Sequence, residues 1–91
     1  MPKSSEVINY RTVKEVLHRP ADARIGKSGL SPGFIENIKQ LIKHHKIIKV
    51  KILQYISKEE VIEIANLLSQ KTDSNLVLTR GRTFILEKKN V

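Results

Sequence analysis

The chain has 91 residues and no cysteine, and seventeen basic residues against nine acidic ones leave a net charge of +8. Without cysteine there are no disulfides, thiolate metal sites or thiol nucleophiles, which accords with a reducing cytoplasm. A domain this small and basic favours a polyanionic partner, and no apolar run approaches the ~20 residues that a membrane-spanning helix needs.

The excess charge is uneven. Residues 24–51 carry seven basic side chains against Glu36 alone, a net +6, whereas residues 57–73 come to −2. In chain order, residues 1–6 read as a flexible tail without the apolar stretch of a signal peptide, and 7–91 as a single domain. Tyr10, Val13, Val16 and Leu17 recur at helical spacing and predict a helix over 7–17, stopped by Pro20. A short strand is expected over 21–27, ending at Gly26.

The next helix is announced by Ser31 as N-cap and Pro32 in its first turn, with Leu30 and Ile35 placed to staple its start. Ile35, Ile38, Leu41 and Ile42 mark its buried stripe; His44, His45 and Lys46 gather at its C-terminal end, where cations suit the helix dipole. Residues 47–54 read as a strand in which Ile48, Val50 and Ile52 alternate with Lys49 and Lys51. Ser57-Lys58-Glu59-Glu60 is a capping box opening a third helix, with Val61, Ile64, Ala65 and Leu68 as its stripe and its end at 72–75. Strands over 76–80 and 82–88 joined through Gly81 complete a tight hairpin. The order is α-β-α-β-α-β-β, a compact α/β domain with helices packed on a mixed four-stranded sheet.

Gly26-Lys27-Ser28-Gly29, between the first strand and the second helix, is the most informative motif. Glycine lets the backbone take positive φ and approach a ligand closely, and the loop N–H groups, the Lys27 ammonium and the following helix N-terminus suit a phosphate. A GxxG loop is one way RNA-binding modules clamp a nucleotide backbone. A nucleotide-binding P-loop is excluded because it needs glycine five residues before Gly26, where Ala21 stands. Lys49 and Lys51 share a strand face opposite the apolar one. With Arg24, Lys43 and Lys46 nearby they would extend a positive surface that positions nucleic acid through phosphates. Arg80 and Arg82 flank the hairpin turn, where guanidinium groups can stack on bases or grip phosphate.

His18, His44 and His45 lack partners at ligand spacing, so no metal or cofactor is expected, and no arrangement for catalysis is present. Tyr10, Phe34, Tyr55 and Phe84 are the aromatics. With both phenylalanines assigned to the core, Tyr10 and Tyr55 alone could stack on bases, and recognition of folded or duplex RNA by shape and backbone is expected.

Three strings resemble the CRM domain (chloroplast RNA splicing and ribosome maturation), including the small bacterial YhbY proteins. They are Arg24-Ile25-Gly26-Lys27-Ser28-Gly29-Leu30, His44-His45-Lys46-Ile47-Ile48-Lys49-Val50-Lys51-Ile52 and Gly81-Arg82-Thr83-Phe84-Ile85-Leu86. The resemblance covers residues 21–88; before Pro20 the chain departs from the longer, more basic first helix of bacterial members. It implies a fold similar to the C-terminal domain of translation initiation factor 3, and RNA binding without catalysis. The implied partners are ribosomal precursor RNA and pre-ribosomal particle proteins, met by a cytoplasmic monomer assisting large-subunit assembly. The RNA contacts expected from motif and resemblance are Arg24, Gly26, Lys27, Ser28, Gly29, Lys43, Lys46, Lys49, Lys51, Arg80 and Arg82. A sequence-neutral binder of duplex DNA, and a protein-interaction module docking through Glu59, Glu60 and Glu63, are the alternatives.

Overall fold

The structure, a computed structural model, describes residues 10–89. The tail expected over 1–6 and the first turn of the helix expected over 7–17 lie outside the described residues. The elements follow the expected order: α1 (Tyr10–His18), β1 (Ala23–Ile25), α2 (Pro32–His45), β2 (Ile47–Ile52), α3 (Lys58–Lys71), β3 (Ser74–Arg80) and β4 (Thr83–Lys88). The four strands form one mixed sheet in the order β1-β2-β4-β3, with β1 parallel to β2 and β4 antiparallel to both its neighbours.

Local chemistry sets the helix starts. The Ser31 hydroxyl accepts the Phe34 N–H at 3.2 Å, and Pro32 fills a first-turn position whose N–H would have no intrahelical partner. At α3 the capping box closes reciprocally: Glu60 N–H donates to Ser57 Oγ at 3.1 Å, and Ser57 N–H to Glu60 Oε1 at 2.9 Å. The turn from α2 into β2 takes one residue. Lys46, at φ 64°, donates its N–H to the Ile42 carbonyl at 3.0 Å and accepts the Lys88 N–H at 2.7 Å.

The sheet buries both faces. On one, Ile48, Val50, Ile52, Phe84 and Leu86 pack with Ile38 and Ile42 of α2 and Val61, Ala65 and Leu68 of α3. On the other, α1 lays Val13 and Val16 over Ile47 and Ile85, flanked by Leu17, Val77 and Leu78. The result is three layers. The Lys49 and Lys51 side of β2 is expected to be a positive surface for nucleic acid, but Ile47 shares that side and is covered by α1.

Two boundaries differ from expectation. β3 starts at Ser74, directly after Asp73 reverses the chain at φ 52°, and a bulge between Leu76 and Leu78 turns Val77 and Leu78 both toward α1. The hairpin turn consists of Gly81 and Arg82, closed by the Arg80–Thr83 pair, so Arg82 lies in the turn and not in the strand. Gly81 has φ 61°, the positive value that the first central position of a II′ turn requires.

Candidate nucleic-acid interface

β1 and β2 run parallel and β4 returns beside β2, so three connections emerge at one end of the sheet. They are the 26–31 loop, the 53–57 loop and the hairpin turn. In the first, the Gly29 N–H donates to the Gly26 carbonyl at 3.0 Å, leaving Lys27 and Ser28 exposed at the tip. Gly29 needs its missing Cβ, with φ 63°. Gly26 does not: its φ is not positive, and a Cβ there would meet nothing within 4 Å. No internal contact asks for glycine at 26, and its effect is to leave bare backbone facing outward beside Lys27.

The 53–57 loop is tied to the end of β1 and to the hairpin turn. Leu53 N–H donates to the Ile25 carbonyl at 3.0 Å, and Ile52 N–H to the Arg82 carbonyl at 2.8 Å. The Arg82 guanidinium donates to the Leu53 and Gln54 carbonyls at 3.1 and 3.2 Å and lies 4.5 Å from the centre of the Tyr55 ring. Arg82, expected as an RNA contact, thus braces the 53–57 loop through its Nη1.

Strand register assembles a second feature, on the α1 side. Arg24 sits beside Lys51, Lys51 beside Thr83, and Thr83 beside Arg80. This row runs across all four strands, so the Cα atoms of Arg24 and Arg80 are about 14 Å apart at three strand spacings. Arg24, Lys51 and Arg80 are exposed, and none is in an ion pair among the described residues, where the pairs are Arg19–Asp22 and Lys89–Asp73. Adjacent like charges repel, so the row is poised for an anion. A cleft of about 260 Å³ separates it from the C-terminal end of α1, lined by Leu17, His18, Lys49, Arg80 and Thr83.

Lys49 belongs to the support of this row. Its ammonium donates to the Leu17 and Arg19 carbonyls, both at 2.7 Å, satisfying the end of α1, so it is not the free cation that alternation suggested. Asp22 accepts the Lys49 N–H at 2.8 Å and pairs with Arg19 at 2.9 Å, and Arg19 also donates to the Ile47 carbonyl at 3.2 Å. Sequence reasoning passed over Arg19 and Asp22; an Arg three residues before an Asp at a helix end was the available signal.

Lys43 and Lys46 stand elsewhere. They close α2 at its C-terminal end, and fourteen residues of helix put that end roughly 20 Å from the GxxG loop. The single positive surface expected from 24–51 is therefore two regions. Glu60, one of three acids in the docking alternative, is occupied by the capping box. Among the described residues no group of three or more His, Cys, Asp or Glu side chains could hold a metal. Among them, too, no helix is long and apolar enough to cross a membrane.

Three comparisons place the chain. The model of the CRS1 / YhbY (CRM) domain matches residues 8–88, and the chain belongs to this family. A relative from Bacillus subtilis, named "Probable RNA-binding protein YqeI", is 31% identical over 67 residues, covering 74% of this chain and 69% of the relative. The solution structure of a hypothetical protein from Staphylococcus aureus, described as "a putative RNA binding protein", superposes with a TM-score of 0.72. It is 25% identical and covers 87% of this chain and 81% of its own.

Proposed function

We propose that the chain is a non-enzymatic RNA-binding protein that holds structured ribosomal RNA and assists assembly of the large subunit, acting as a cytoplasmic monomer without a cofactor. The observation that carries this reading is the row Arg24, Lys51, Arg80, unpaired among the described residues, at the same sheet end as the bare Gly26–Gly29 loop. Family membership and the names of the two relatives support RNA as the ligand.

Lys27, Ser28 and the backbone N–H groups of the loop would take one phosphate, and the row would take the phosphates that follow. Lys43 and Lys46 would touch the RNA only where it folds round to the far end of α2. Lys49 and Arg82 would serve by holding α1 and the 53–57 loop in place. Such contacts position a nucleic acid without reading its sequence.

A salt titration tests the reading, using a structured ribosomal RNA fragment and a matched DNA duplex with wild type and Lys27→Glu. The expected result is tighter binding to RNA, log K falling with log salt by about 0.7–0.9 per phosphate contact, and marked weakening in the variant. Equal affinity for the DNA duplex would favour a sequence-neutral duplex binder instead. Cosedimentation with precursor particles at native expression tests the ribosomal part, and absence from them would remove it.

A further inference from the structure

Tyr55 is 93% exposed, far more than any other large apolar side chain among the described residues, of which Leu53 is next at 50%. A bulky ring left in water usually wanders among rotamers. Here the Arg82 guanidinium, anchored by the Leu53 and Gln54 carbonyls, lies 4.5 Å from its centre and favours one orientation of the ring by about 0.5–1 kcal/mol. Even with that contact the ring remains almost wholly open to solvent. A depression of about 430 Å³ opens beside it, between Tyr55 and Ile56 on one wall and Gly81 and Arg82 on the other, within the size range of small-ligand sites.

The 53–57 loop that carries the ring leaves the same end of the sheet as the Gly26–Gly29 loop. Leu53 N–H bonds to the Ile25 carbonyl, and from that bond Gly26 is one residue away and Tyr55 two. Two residues of chain, one strand spacing and one further residue bound the Cα separation of Tyr55 and Gly26 at about 16 Å.

We propose that Tyr55, backed by Arg82, is a stacking platform for one unpaired RNA base, whose backbone continues to the Gly26–Gly29 loop at the same end of the sheet. The proposal rests on the RNA-binding reading and adds a substrate class to it: an RNA with a splayed-out or single-stranded nucleotide, not a continuous duplex. It also revises the expectation of recognition by shape and backbone alone. A duplex keeps its bases stacked inside and offers nothing to a lone ring, whereas an unpaired base of any identity has a free π-face. Ordering the ring in advance removes part of the entropic cost of capturing that base.

The chain has no tryptophan and two tyrosines, so in a Tyr10→Phe background the intrinsic emission belongs to Tyr55 alone. The test titrates that protein, and its Tyr55→Leu and Tyr55→Phe derivatives, with a radiolabelled short oligouridylate and a radiolabelled blunt-ended RNA duplex, affinities being read by filter retention because the derivatives keep no tyrosine emission. Expected are quenching of Tyr55 emission by the single strand and an affinity loss of about tenfold in Tyr55→Leu for the single strand only. Tyr55→Phe, which keeps the ring, should bind almost as its parent does. Equal losses on both RNAs in Tyr55→Leu would make the ring a backbone contact and overturn the platform. Unchanged binding in Tyr55→Leu, with wild type still binding RNA in a salt-dependent way, would overturn it while sparing the broader reading. Failure of the wild type to bind the single strand would overturn the platform, and its failure to bind the structured ribosomal fragment as well would remove the broader reading.

Discussion

The two faces of the sheet are built on different terms. The face under α2 and α3 has a broad apolar centre, with Ile38, Ile48, Val50, Phe84 and Leu86 fully enclosed. The face under α1 is divided. Val13, Val16, Ile47 and Ile85 form a small core at one end, and Arg24, Lys51 and Arg80 line the other. Stability is concentrated where two long helices close the sheet, and the half-covered face is left free to carry charge.

That contrast can be broken by substitution. Phe84→Ala, in the enclosed face, should cost about 3–5 kcal/mol in urea unfolding, enough to threaten folding of a domain this size. Val16→Ala, under α1, should cost about 1.5 kcal/mol for two lost methyl groups. Equal losses at the two sites would mean the faces are one core after all.

The third change concerns Glu87, on the α1 side between Ile47 and Asn75, where burial raises its carboxyl above its ordinary value of 4.5. A raised carboxyl means the fold disfavours the charged form, so ionisation subtracts stability as pH rises through and above that value. Glu87→Gln should therefore be the more stable protein at neutral pH and match wild type in acid, a small difference visible in melting curves at two pH values. Smallest in stability is the paired change Arg24→Gln with Lys51→Gln, expected within about 0.5 kcal/mol because both side chains are exposed. Its effect belongs to RNA binding, where the salt slope should fall by about 1.5 for two lost phosphate contacts. A stability loss above 1 kcal/mol would move these residues from the charged half of the face to its structural half.

The helix starts were legible because they are local. Ser31, Pro32 and the Ser57–Glu60 capping box act within one turn, and the alternation through Ile48, Val50 and Ile52 needs no knowledge of partners. Strand pairing was not legible in that way. That Arg24, Lys51 and Arg80 form one row follows from register across chain separations of nearly thirty residues between neighbours such as Arg24 and Lys51. The roles of Lys49 and Arg82 depend on which carbonyls happen to face them, which no spacing encodes. The separation of Lys43 and Lys46 from the loop was within reach, since fourteen helical residues already fix a length. Ile47 was the subtler miss: it shares parity with Lys49 and Lys51, and its burial marks where α1 lands.

The sheet's free edges carry one more consequence. β1, at one margin, has only three residues, and β3, at the other, is interrupted by its bulge and ends in Arg80. Neither margin offers a second copy of the chain a long, flat ladder of unpaired backbone groups, the template on which strands of different molecules aggregate. The bulge that turns Val77 and Leu78 toward α1 therefore also protects the protein against self-association by edge pairing.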